Sequence, residues 1–102
     1  MSFRIVEKVM GSGSVAEPIS VTSLPVSSAR IQVKRANSNA MEISPVAAFV
    51  AGKGYELVAP TSAAQLPELP LSTNQGVQGI DLSLWYIRGT QGEGVNIIIE
   101  EY

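Results

Sequence analysis

Apolar and polar residues alternate with a period of two along much of this chain, and no window of ten or more residues carries apolar side chains at helical spacing. Successive side chains of a strand point to opposite faces, so this alternation buries one face and wets the other. Ile31 and Val33 alternate with Arg30, Gln32 and Lys34, the clearest strand of the chain. Phe3, Ile5 and Val9 alternate with Arg4 and Lys8, which makes the first ten residues a strand or arm. Ile19 and Val21 alternate with Ser20 and Thr22, but Pro18 and Pro25 remove ladder donors and confine that piece to an edge or a short strand. Asn37, Ser38 and Asn39 predict a polar turn, and Met41 and Ile43 a short return strand ended by Pro45. The apolar segment 46–50 reads equally as a brief helical turn or a strand, and Gly52, Lys53 and Gly54 turn the chain before Tyr55 and Leu57. Periodicity fades over residues 60–79, where Pro60, Pro67 and Pro70 leave room for one short edge strand from Leu69 to Ser72.

In the last third, Ile80, Leu82, Leu84 and Tyr86 share one phase, and Val95, Ile97 and Ile99 share a phase of the following run. The three glycines at 89, 92 and 94 between them predict a hairpin, since glycine supplies the positive φ that tight connections require. Trp85, Ile87 and Ile98 fall on the opposite faces, so the hairpin is expected to be apolar on both sides. Gly, Pro and Ser clusters recur at roughly eight to twelve residues, the spacing of a sandwich or barrel. The expected fold is all-β: an antiparallel, jelly-roll-like β-sandwich of about seven or eight short strands. Ile31, Val33, Ile43, Leu82, Leu84, Val95 and Ile97 should lie inside. Residues 1–14 form a strand-like arm on a Gly/Ser break at 11–14, and residues 15–102 a single sandwich domain.

With 102 residues the chain suffices for one core, and folding at this size buries roughly 60 to 70% of the unfolded surface. A net charge of -2, with seven basic residues scattered along the length, gives no footprint for nucleic acid. Residues 1–10 contain no apolar run of signal-peptide or membrane-spanning length, so no membrane partner is expected. Neither Cys nor His occurs, which removes disulfides, thiolate ligands and the commonest general base. Hydroxyls abound, but only a Ser-Lys pair is left to activate one, and the three lysines fall in strand or turn contexts that read as solvated. Asp81 and the eight glutamates sit mostly at outward positions, where a glycosidase-type pair is not expected. Glu93, Glu100 and Glu101 offer oxygen ligands for calcium without the dense Asp and Asn spacing of a calcium loop. The glycine-rich run at 89–94 leads into a strand and not a helix, which argues against phosphate binding. Trp85 and Tyr86 fit either a sugar-stacking face or a subunit interface, and an apolar two-faced element favours the interface. The expectation is no enzyme, no metal and no cofactor, with Phe3, Ile5, Val9, Trp85, Ile87 and Ile98 as candidate interface residues.

The run Ala29-Arg30-Ile31-Gln32-Val33-Lys34, the turn Ala36-Asn37-Ser38-Asn39 and the strand Met41-Glu42-Ile43-Ser44 follow a Val/Thr-rich opening. Gly54-Tyr55-Glu56-Leu57 comes next, and then a closing block, Ile80-Asp81-Leu82-Ser83-Leu84-Trp85-Tyr86-Ile87 with Gly92-Glu93-Gly94-Val95-Asn96. In this order, over roughly residues 15–102, the chain resembles the small virion proteins of tailed bacteriophages that decorate or cement the capsid; residues 1–14 fall outside the likeness. The resemblance implies a structural protein on the outer capsid surface, bound to the major capsid protein and to itself, as a homotrimer, and it brings no catalytic residue. The rival reading is a tail or fibre module that contacts the host through Trp85, Tyr86 and the loop at 60–79.

Overall fold

The computed structural model describes residues 2–13, 15–60, 66–72 and 80–101. Among the described residues strand dominates and the one helical element is the 3-10 turn Leu82–Leu84, so the core can only be sheet packed on sheet. Ten strands follow one another among the described residues: β1 (Ser2–Val9), β2 (Glu17–Pro18), β3 (Pro25–Val26), β4 (Ser28–Val33) and β5 (Met41–Ser44), then β6 (Tyr55–Leu57), β7 (Glu68–Ser72), β8 (Ile80–Asp81), β9 (Tyr86–Arg88) and β10 (Gly94–Glu101). Seven of these are three residues or longer, and the other three are two-residue bridges.

The ladders are nested. β1 pairs with β10, β2 with β9, β3 with β8, β4 with β7 and β5 with β6, all antiparallel, as though the chain were one long hairpin doubled back near residues 45–54. Two further ladders, β10 with β4 and β9 with β5, roll this hairpin into two four-stranded sheets, β1-β10-β4-β7 and β2-β9-β5-β6. This is jelly-roll winding, in which consecutive strands cross between facing sheets. The inner faces meet through Ala29, Ile31, Val33, Val95, Ile97 and Ile99 from the first sheet and Met41, Ile43, Leu57 and Ile87 from the second. Each is at most 3% exposed, which places every alternation-derived inner residue except Leu84 in one core. Burial of each of these side chains larger than Ala29 contributes roughly 1.5 to 3 kcal/mol.

The structure departs from the sequence reading in several places. Leu84 is 61% exposed, because Leu82–Leu84 is a turn of 3-10 helix. A three-residue period sends Leu82 inward and Leu84 out, where a strand would have aligned them. Residues 80–87 and 95–99 do not form a hairpin: β9 belongs to one sheet and β10 to the other, and the glycine-bearing loop at 89–94 carries the chain between them. Ile19 is buried and Val21 is 87% exposed, yet no ladder forms there. Ile19 N–H and Ser20 N–H instead bond the C=O groups of Trp85 and Leu82 as single tertiary bonds. The apolar piece 46–50 is a turn, with Ala48 at φ 55°. Of the 60–79 segment, β7 forms at the edge foreseen for it, while 61–65 and 73–79 lie outside the described residues.

Candidate assembly surface

The segment read as an arm is, over β1, an edge strand of the chain's own sheet, paired along its whole length from Ser2 opposite Glu101 to Val9 opposite Gly94. Its hold on β10 is set at residues 10–17 and 34–39. Met10 N–H donates to Glu93 C=O at 2.9 Å and Gly92 N–H to Met10 C=O at 3.0 Å. Lys8 Nζ lies 2.9 Å from Glu17 Oε1, and the same oxygen accepts from Gly11 N–H at 3.0 Å, so the Gly/Ser break is folded against β2. The Lys8 ammonium first, and then the Gly11 amide, lower the pKa of the Glu17 carboxyl below its ordinary value. Gly94 must lack a side chain, since a Cβ there would lie 2.2 Å from the Lys8 carbonyl oxygen. Across β10, the buried Asn37 side chain donates through Nδ2 to Gly94 C=O at 2.9 Å and accepts from Gly94 N–H at 3.1 Å. Glu93 accepts from the backbone N–H groups of Ser38 and Asn39 at 2.9 and 3.2 Å.

This anchoring turns one face of β1 outward. Phe3, Ile5 and Val9 are 67, 69 and 43% exposed, and Ile98, directly opposite Ile5, is 41% exposed. Around them are charged pairs, Glu7 with Lys34 and Arg30 with Glu68, and the Ser27 and Ser28 hydroxyls on Glu100. Among the described residues no strand pairs with the outer edge of β1. Ser27 N–H and Lys34 N–H bond the C=O groups of Glu100 and Gly94, so the even residues of β10 face β4 and the odd ones face β1. Through the register Val6 to Ile97 and Arg4 to Ile99, it is the even residues of β1 that bond β10. The main-chain groups of Phe3, Ile5, Glu7 and Val9 therefore point away from the sheet.

The other edges are blunted. Val33 N–H bonds Pro67 C=O and Ile31 lies opposite Leu69, so Pro70 falls at an outward position of β7 and offers no N–H. β2 has two residues, one of them Pro18, and β6 has three. Among the described residues β1 is the one long edge that proline does not interrupt.

The remaining candidates separate. Ile87 is fully buried between the sheets, which removes it from any interface. Trp85 is half-buried and packs on the core, lining a cleft of about 260 Å³ with Ile43, Pro45, Tyr55, Leu69 and Leu71. Tyr86 is half-buried as well, so Trp85 and Tyr86 do not form an exposed pair for a sugar. Glu93 immediately precedes β10 and Glu100 lies near its far end, about 23 Å on at strand rise, too far to share an ion. The side chain of Glu101 is outside the described residues, among which no group of three or more acidic, His or Cys side chains lies close enough to hold a metal. Asp81 accepts from Leu24 N–H at 3.0 Å, Ser83 N–H at 2.9 Å and the hydroxyls of Ser83 and Ser23 at 2.7 Å. Those donors, the Leu24 amide first, hold its carboxyl well below the usual carboxylate range, and by accepting from Ser83 N–H the Asp81 side chain caps the 3-10 turn. Compared with protein-family models, with curated proteins and with solved structures, the chain matches none.

Proposed function

We propose that this chain is a non-enzymatic structural subunit that works by assembly, and that its assembly is a bacteriophage capsid, whose outer surface it coats by binding the major capsid protein. The observation that carries the reading is the exposed apolar set Phe3, Ile5 and Val9 on a long, unblunted edge strand, with Ile98 beside Ile5 on β10. Sheet edges that present both open main-chain groups and apolar side chains are normally protected in monomers, and where they persist they mark a contact. The jelly roll supports the reading by analogy, being widespread in virus capsids and equally in lectins and cupins, and the resemblance to capsid-decorating proteins adds the particle. The host-contact alternative needs Trp85, Tyr86 and the loop at 60–79 as exposed contacts; the half-burial of Trp85 and Tyr86 weighs against it, while 61–65 and 73–79 of that loop lie outside the described residues.

Added to capsids purified without it, the protein should bind in fixed stoichiometry to the major capsid protein and raise the temperature at which the shell opens. Ile98→Lys, at an exposed position, should keep the circular dichroism of the parent and lose that binding. Recovery of the protein with isolated tails, at a few copies per particle, would move it to the host-contact class.

A further inference from the structure

The edge of β1 pairs with a second copy of itself: we infer that the chain forms a two-fold dimer through an antiparallel β1–β1 ladder centred on Ile5, joining two four-stranded sheets into one. The inference rests on the assembly reading and names its first partner.

Three observations carry it. The first is length. Among the described residues no other edge strand exceeds five residues, and β7, the only one that reaches five, has Pro70 where a donor is needed. Among the described strands, an eight-residue edge therefore finds a full-length edge match only in another β1.

The second is register. A two-fold ladder must place some residue opposite itself. Centring on Arg4 or Glu7 sets like charges face to face, and centring on Val6 sets Arg4 opposite Lys8, all of which destabilise a sheet. Centring on Ile5 opposes Phe3 to Glu7, Arg4 to Val6 and Ile5 to Ile5, with no like-charge pair. Phe3, Ile5 and Glu7 are also the residues whose main-chain groups face the open edge, so each of these pairs exchanges two hydrogen bonds.

The third is the outer face. Ile5 lies opposite Ile98 within the chain, so this register lines up Ile98 and Ile5 with Ile5 and Ile98 of the second copy in one apolar row, flanked by both Phe3 rings. Residues exposed singly in the monomer then cover one another. An edge that pairs with itself closes at two copies, whereas the family likeness implies a trimer.

The test uses the full chain. In sedimentation equilibrium the protein should reach twice its 10.8 kDa mass, and Ile5→Lys should weaken the association at least about tenfold with unchanged circular dichroism. Because the natural chain has no cysteine, Ile5→Cys should oxidise to a covalent dimer across the axis, while Val9→Cys, which has no Val9 near it in this register, should not. A monomeric or trimeric mass, or equal cross-linking of the two cysteine variants, overturns the inference. If the dimer fails while the protein still binds capsids, the assembly reading survives without it; if it neither dimerises nor binds capsids, both fall.

Discussion

Asn37 does with its side chain what a strand residue does with its backbone, adding one more donor and acceptor beyond the end of β4 for the buried Gly94. Asn37→Ala leaves Gly94 N–H without its partner, while the carbonyl keeps the bond from Lys34 N–H. The expected loss is about 1 to 3 kcal/mol, read as a lower urea midpoint with an unchanged slope. From the sequence Asn37 is a turn residue, and nothing nearby in the chain announces a partner that far along it. Asp81 was more legible: an Asp two residues before a Ser is the pattern of a side chain that caps its own turn, although solvated charge is the default reading. Its folded pKa is lowered first by the Leu24 amide, which reaches it only in the fold, and then by Ser83 and Ser23. A carboxyl of that kind contributes stability that is present above its unfolded pKa of about 4 and is lost as pH falls toward the folded value. Glu17, lowered by Lys8 and Gly11, acts in the same direction. Urea midpoints should therefore drop below pH 4, and Asp81→Asn should both lower the midpoint at pH 7 and flatten the acid limb. An acid limb of parent steepness in Asp81→Asn would assign that dependence elsewhere.

β1 shows what an element gains from its place. As a free arm it would be dispensable to the fold, but paired along β10 it completes a sheet, and its Val6 packs against the core. Removing residues 1–14 should expose the odd-numbered main-chain groups of β10 and part of the core. The truncated chain should show a clearly lower denaturation midpoint and a tendency to aggregate; a midpoint equal to that of the full chain would show β1 to be an appendage. For this reason point substitutions at Ile5 and Ile98 report on assembly and deletion does not. Two other elements show why alternation misleads at short range. Leu82, Leu84 and Tyr86 fit a strand and a 3-10 turn equally well until Asp81 caps the turn. The glycine-bearing loop at 89–94 suits a hairpin or a crossing between sheets, because both require the positive φ that Gly92 adopts.

At the scale of the whole molecule, the nested ladders put the N- and C-terminal strands side by side and bring the middle of the chain to the opposite end of the winding. Such pairing brings partners together from far apart in sequence, so local pattern can specify each strand without specifying its neighbour. That divides this protein's determinants. The sequence by itself determined the all-β class, the jelly-roll-like sandwich and the inward phase of Ile31, Val33, Ile43, Val95 and Ile97, because period two leaves an apolar strand only one face to bury. It also named Phe3, Ile5, Val9 and Ile98 as candidate interface residues together with Trp85 and Ile87, and alternation alone could not separate the exposed four from the two that pack inward. Only the tertiary structure decided that β1 lies on β10, that Ile87 belongs to the core, and that β9 and β10 part company. Strand partners are chosen by burial shared between sheets and by close approaches such as Gly94 against Lys8, which are properties of the packed molecule and of no single stretch of chain.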